Sequence, residues 1–227
     1  MKLNTFILFL FTSVSALAQI KPVTPKKLFI ISSYQQYLAS VKENSNNQLV
    51  EIKKAIPTIR LDIRYATKNN FMKQVMYGQA RAFARKPVVE SLKKVQAELF
   101  KKGLGLKIFD GYRPYAITVA FYQKASDKNF VANPKQGSKH NRGCAVDLTI
   151  VDLKTGKEIA MPTPYDSFSA AAAANYAKVS PQVKKNRDFF IAIMKKYKLN
   201  VLENEWWHYD FQGWQNYALL DIPFEKL

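Results

Sequence analysis

The chain has 227 residues, 48% of them hydrophobic, with 35 Lys+Arg against 17 Asp+Glu and a formal net charge of +18. Its single cysteine, Cys144, excludes an internal disulfide, so stability must come from core packing and from any metal the fold binds. The lysines are scattered rather than clustered, which reads as a solvated basic surface suited to electrostatic contact with an anionic cell envelope.

Residues 1–18 have the order of a secretory signal: Lys2, an apolar run from Phe6 to Phe11, then the small-x-small site Ala16-Leu17-Ala18. The run is too short for a stop-transfer span, and no later stretch is long and apolar enough to cross a bilayer. The expected product is an exported protein, periplasmic or extracellular, which argues against nucleic acid as a partner. Residues 19–227 fit one domain, with 19 to about 50 read as a polar N-terminal arm.

Ile59 to Ile63 alternates with period two and predicts a strand. Pro87 to Lys102 predicts a helix whose apolar face is Val88, Leu92, Val95 and Leu99, with Gly103 as its stop. The i,i+4 spacing offers Glu90–Lys94 and Glu98–Lys102 as ion pairs on it. Leu104 to Phe109 is a short strand running into the turn Asp110-Gly111-Tyr112-Arg113-Pro114, followed by a helix over about 115–125. Cys144 to Ile150 alternates as a strand, with Cys144, Val146, Leu148 and Ile150 on one face and Ala145, Asp147 and Thr149 on the other. Ala170 to Ala174 fits helix or loop. Ser180-Pro181 is an N-cap followed by proline at the first helical position, opening a helix to about Lys198. Two strands follow, near 200–203 and 206–211. Helices and strands mixed without strict alternation predict a single α+β domain with a largely antiparallel sheet.

The chain's only two histidines, His140 and His208, each have acidic neighbours. Two imidazoles and a carboxylate make an open zinc site, the fourth position left to water. Asp147 follows His140 by seven residues and converges with it if Gly143 permits a tight turn. Glu205 lies three residues before His208, at the entrance of the last strand, where it is free to swing toward a water on the metal. Arg113 suits either oxyanion stabilisation or a carboxylate clamp. Taken residue by residue, the same groups also fit a loop-capping histidine, a solvated aspartate and an aromatic core strand.

Taken together, Asp110 to Pro114, Ser138-Lys139-His140-Asn141-Arg142-Gly143-Cys144-Ala145-Val146-Asp147 and Glu205-Trp206-Trp207-His208 resemble the three signatures of the zinc D-alanyl-D-alanine dipeptidases. The resemblance runs from about Ile59 to near the C-terminus. Leu61 to Ala66 and Met161 to Asp166 narrow it from the wider zinc D,D-peptidase group to the dipeptidases. It implies one zinc ion on His140, Asp147 and His208, Glu205 as catalytic base, and Arg113 at the transition state. Asp166 is implied as the partner of the substrate ammonium and Ser138 as a substrate contact. Pro162 and Tyr165 depart from the pattern, which often has glycine and phenylalanine there.

The implied activity is hydrolysis of free D-Ala-D-Ala. Its alternatives are a zinc D,D-carboxypeptidase or L,D-type peptidase acting on peptidoglycan stems, a cysteine hydrolase built on Cys144 and His140, and a non-catalytic envelope-binding module.

Overall fold

A computed structural model describes residues 28–227; the predicted signal segment lies outside the described residues. The elements in order are β1 (Ile30–Ile31), α1 (Tyr34–Glu43), β2 (Leu49–Glu51), α2 (Ile52–Ala55), β3 (Arg60–Leu61), β4 (Phe83–Arg85), α3 (Lys86–Phe100) and β5 (Leu104–Asp110). Then come α4 (Tyr115–Lys124), β6 (Ala145–Asp152), α5 (Pro181–Lys196), β7 (Leu199–Leu202), β8 (Glu205–Phe211) and β9 (Leu219–Leu220). A five-stranded sheet in the order β3-β5-β6-β8-β7 carries the domain; β3 and β5 run parallel and the other pairs antiparallel. Two small pairs flank it, β1 with β9 and β2 with β4. The α+β architecture is the one the element pattern predicts.

The core follows from the side-chain periodicities. On α3, Val88, Leu92, Val95 and Leu99 are all fully buried, and Gly103 ends the helix turn at φ +70°. On α5, the Ser180 hydroxyl accepts from the Val183 N–H as N-cap, and Phe190 and Met194 are buried. Phe190 meets the Tyr209 ring of β8 edge-on at 5.0 Å. On β6, Val146, Leu148 and Ile150 join the hydrophobic core, while Asp147 lines a cavity. Ala170–Ala172 is a single 3₁₀ turn.

Two local expectations come out differently. The described part of the polar segment before residue 50 is not a free arm: Ser33 caps α1, the buried Tyr37 hydroxyl accepts from the Leu49 N–H at 2.8 Å, and β1 and β2 both pair with later strands. The i,i+4 pairs on α3 also give way. Glu90 meets Lys93 at 2.8 Å, and Glu98 turns to Lys196 and the Tyr197 hydroxyl, both at 2.7 Å, tying α3 to α5. A partner from a neighbouring helix replaces the one expected on the same helix.

Gly143 closes the turn between His140 and β6. Its φ is +68°, and a Cβ there would lie 2.6 Å from Leu49 Cδ2. Gly103 has a similar φ of +70° with open space around it. Gly143→Ala is therefore expected to destabilise the protein by roughly 2–4 kcal/mol, through backbone strain and overpacking together. Gly103→Ala should cost about 1–2 kcal/mol, from the left-handed backbone alone. Urea unfolding of the two variants measures the difference, and equal losses would show that contact with Leu49 contributes nothing.

Candidate metal centre and substrate pocket

Three adjacent strands deliver the site. Asp147 on β6 and His208 on β8 are direct cross-strand partners, so their side chains project from the same face of the sheet. His140 comes from the turn before β6, where its carbonyl accepts from the Arg113 and Gly143 N–H groups at 3.1 and 2.9 Å. The end of β5 adds Asp110, in register with Asp147 across an irregularity at Phe109. All three candidate ligands are buried, and their donor atoms lie within 4.8 Å of one another.

The tautomers of both histidines follow from their second hydrogen bonds. His140 Nδ1 lies 2.7 Å from the Gly111 carbonyl and must donate to it, which leaves Nε2 as a lone pair. His208 Nε2 lies 2.9 Å from Asp210 Oδ1 and donates to that carboxylate, leaving Nδ1 as a lone pair. These two free nitrogens are 3.1 Å apart, and Asp147 Oδ1 is 3.3 Å from the first and 3.0 Å from the second. Two lone pairs and a carboxylate oxygen facing one point in a buried site repel unless a positive charge sits among them. Burial works against a charged His208, yet its bonds to Asp147 and Asp210 outweigh that and lift its pKa to about 10. A divalent cation fits the same donors, and the nitrogen–nitrogen–oxygen set with outer hydrogen bonds on both imidazoles is chemistry that suits zinc.

Two of the groups that orient the donors were not predicted. The Tyr165 hydroxyl donates to Asp147 Oδ2 at 3.0 Å, so only Oδ1 faces the shared point. The Tyr165 ring is held by stacking on Phe109 at 4.5 Å and by edge contact with Trp207 at 5.6 Å. Asp210 bonds His208 and is itself paired with Lys139. Period-two spacing places Asp210 on the His208 face, a signal present in the sequence. The Tyr165–Asp147 bond had none.

Arg113 is buried and lines the cavity. Its Nε and Nη2 donate to Asp110 Oδ2 at 3.1 and 2.7 Å, and its guanidinium lies over the Phe121 ring at 4.6 Å. Burial disfavours its charge, but Asp110 outweighs that and keeps it fully protonated. Nη1 has no hydrogen-bond partner among the described residues. Ser138 also lines the cavity, its hydroxyl accepting from the His140 N–H at 3.1 Å.

Glu205 stands first in β8. Strict alternation would put it opposite His208, but the β7–β8 register shifts between Val201 and Leu202, and such irregularities increase local twist. Glu205 Oε2 lies 3.9 Å from His208 Nδ1, and Glu205, Trp207 and His208 all line the cavity. Burial raises the Glu205 pKa. Asp166 reaches the cavity from a loop, at φ +60°, and accepts from the Tyr65 hydroxyl at 2.9 Å. Burial and the nearby Asp147 charge push its pKa up to about 8. Arg113, Ser138, His140, Asp147, Asp166, Glu205 and His208 thus line one cavity of about 320 Å³, and Cys144 does not. That thiol is buried beside the Arg142 carbonyl and pushed up to about 12 by burial, which removes it as a nucleophile.

If Tyr165 and Asp210 orient the donors, Tyr165→Phe and Asp210→Ala should each weaken zinc binding about 10- to 100-fold while preserving the fold. Competition with a chromogenic chelator measures this; zinc affinity equal to wild type in both would show that neither group tunes the site.

The model of the Peptidase_M15 family, described as D-ala-D-ala dipeptidase, matches residues 45–224. The D-alanyl-D-alanine dipeptidase of Escherichia coli (strain K12) is 29% identical over 181 residues, covering 80% of this chain and 93% of its own. That of Enterococcus faecium is 29% identical over 174 residues, covering 66% and 85%. A solved LD-carboxypeptidase aligns with a TM-score of 0.39 and 20% identity, over 59% of this chain and 61% of its own. With four-fifths of its length accounted for and a buried His-Asp-His cluster at its centre, the chain belongs to the D-alanyl-D-alanine dipeptidase family of metallopeptidases.

Proposed function

We propose that the protein hydrolyses free D-Ala-D-Ala to D-alanine with Glu205 as its general base. The observation that carries this is the placing of Glu205: a carboxylate of raised pKa, 3.9 Å from a candidate metal-facing nitrogen and outside the His-Asp-His cluster itself. A zinc ion held by His140, Asp147 and His208 would supply Lewis-acid polarisation of the scissile carbonyl and acidify a water molecule.

The chain's own residues do the rest. Glu205 takes a proton from the attacking water and returns it to the leaving amide nitrogen, a cycle that a carboxylate with a raised pKa performs efficiently. Arg113, clamped by Asp110 through two of its nitrogens, presents Nη1 to the negative charge that develops on the carbonyl oxygen. Asp166 receives the substrate ammonium. Its pKa near 8 describes the carboxylate without a cationic partner, and an ammonium beside it favours the charged form. Ser138, whose hydroxyl accepts from the N–H of the candidate ligand His140, contacts the substrate within the same cavity. The segment from Lys2 to Ala18 supports export, and the net charge of +18 supports residence near an anionic envelope. Among the described residues no helix is long and apolar enough to cross a membrane.

Glu205→Gln should retain zinc and fold while kcat falls at least ~10²-fold; loss of zinc together with activity would make Glu205 a ligand instead. Asp166→Asn should lower kcat/KM for D-Ala-D-Ala about 10- to 100-fold, the scale of one charge-assisted hydrogen bond. The deciding assay is a panel of D,D-, L,L- and mixed dipeptides, N-acetyl-D-Ala-D-Ala and a stem pentapeptide, each with and without added zinc. Cleavage of the blocked dipeptide or the pentapeptide as fast as the free dipeptide replaces this reading with a carboxypeptidase.

A further inference from the structure

The clamp on Arg113 is lopsided. An arginine facing a carboxylate commonly forks, with one N–H on each oxygen. Here Arg113 Nε and Nη2 both donate to Asp110 Oδ2, at 3.1 and 2.7 Å. The other oxygen is already taken. Asp110 Oδ1 accepts from the Tyr77 hydroxyl at 2.9 Å and from the Gly111 N–H at 2.8 Å. A carboxylate offers about four lone-pair positions. The fully buried Asp110 spends two of them on each oxygen, and none is left over.

Tyr77 is itself fixed. It is buried, it stands in the segment between β3 and β4, and it meets Asp110 across 33 residues of chain. Its N–H donates to the Tyr65 carbonyl at 3.0 Å, and its ring packs against Tyr65 and Phe224 at 5.8 and 4.9 Å. Burial and the Asp110 charge hold its phenol well above the usual range, so it stays a donor. Tyr77 is not among the residues that line the catalytic cavity; its ring lines a separate one of about 340 Å³. It does not touch a substrate at the metal centre, and its route to the reaction runs through Asp110. Removing its hydroxyl leaves Oδ1 one donor short in a buried place, which is costly. Turning the Arg113 guanidinium into the fork, one nitrogen on each oxygen, makes up that loss and re-aims Nη1.

We infer that Tyr77 is a positioning residue for the reaction: by occupying Asp110 Oδ1 it confines the Arg113 guanidinium to Oδ2 and keeps Nη1 directed at the carbonyl oxygen where charge develops. This rests on the proposed role of Arg113 in stabilising that charge. The charge exists only in the transition state, so the effect falls on kcat rather than on KM.

Tyr77→Phe keeps the ring and removes only the hydroxyl. It is compared with wild type, Arg113→Ala and the double variant, each zinc-loaded, on D-Ala-D-Ala. The expected kcat of Tyr77→Phe is about 10- to 100-fold below wild type, the scale of a misplaced catalytic group, with KM within about 2-fold and zinc content unchanged. In the Arg113→Ala background the same substitution should change kcat by less than about 2-fold, because the residue it acts through is gone. A crystal structure of Tyr77→Phe should show the guanidinium forked across both Asp110 oxygens, a readout that needs no turnover and that lost stability alone does not produce. Wild-type kcat in Tyr77→Phe, losses that multiply in the double variant, or an unmoved guanidinium overturns the inference. Full kcat in Arg113→Ala overturns the role of Arg113 on which it rests. Turnover of a stem pentapeptide but not of D-Ala-D-Ala overturns the dipeptidase reading alone, and the same four proteins assayed on the pentapeptide then decide the role of Tyr77.

Discussion

The structure turns on three electron-rich atoms held face to face in a buried place. His140 Nε2, His208 Nδ1 and Asp147 Oδ1 lie between 3.0 and 3.3 Å from one another. That arrangement is costly without a cation and favourable with one, so the surroundings have to supply the holding force. They do so through backbone as well as side chains. The β6–β8 ladder sets Asp147 opposite His208, and the Gly111 carbonyl fixes the His140 ring from β5's end of the sheet. The site is thus a product of the order β5-β6-β8, three neighbouring strands each bringing one part.

The buried charges around this point divide into two sets. Asp110 is matched by Arg113 and Tyr77, Asp210 by Lys139 and His208, and Asp147 by both histidines and Tyr165. For Asp147 and Asp210 these pairings outweigh burial and hold the pKa below the usual carboxylate range. Glu205 and Asp166 form the other set. Neither has an ion-pair partner in lysine or arginine among the described residues, and burial raises the pKa of both. Carboxylates left with unmet charge in a cavity are the ones available for a proton in transit or an incoming ammonium, and pKa values pushed apart in this way mark division of labour in a site.

The tyrosines and arginines connect the two sets. Tyr165 and Asp166 are neighbours in sequence: the Tyr165 hydroxyl bonds the candidate ligand Asp147, while Asp166, proposed for the substrate and at φ +60°, bonds the Tyr65 hydroxyl. Arg85, almost fully buried and without a carboxylate partner among the described residues, instead donates to the carbonyls of Arg142, Asn47 and Ala218. It thereby ties the turn that carries His140 to both the N-terminal segment and the last strand. The described N-terminal elements are consequently part of the frame that positions a ligand.

How much of this was legible in the chain depends on the reach of each interaction. The α3 face, the Ser180 cap and the alternation of β6 arise from contacts a few residues apart, and period and capping chemistry reveal them directly. The candidate cluster was legible for a different reason: with only His140 and His208 to choose from, few groupings were open, and the family resemblance rather than spacing added Asp147. Tyr165 on Asp147, Tyr65 on Asp166, Glu98 on Lys196 and the meeting of Phe71, Phe130 and Phe168 join residues far apart in sequence. No spacing rule encodes such partners, because loop paths and strand order, not local periodicity, decide which side chains share a wall. The approach of Glu205 to His208 was within reach of the sequence, because Glu205 stands at the entrance of β8, but the 3.9 Å distance and the β7–β8 register shift beside it are features of the tertiary structure.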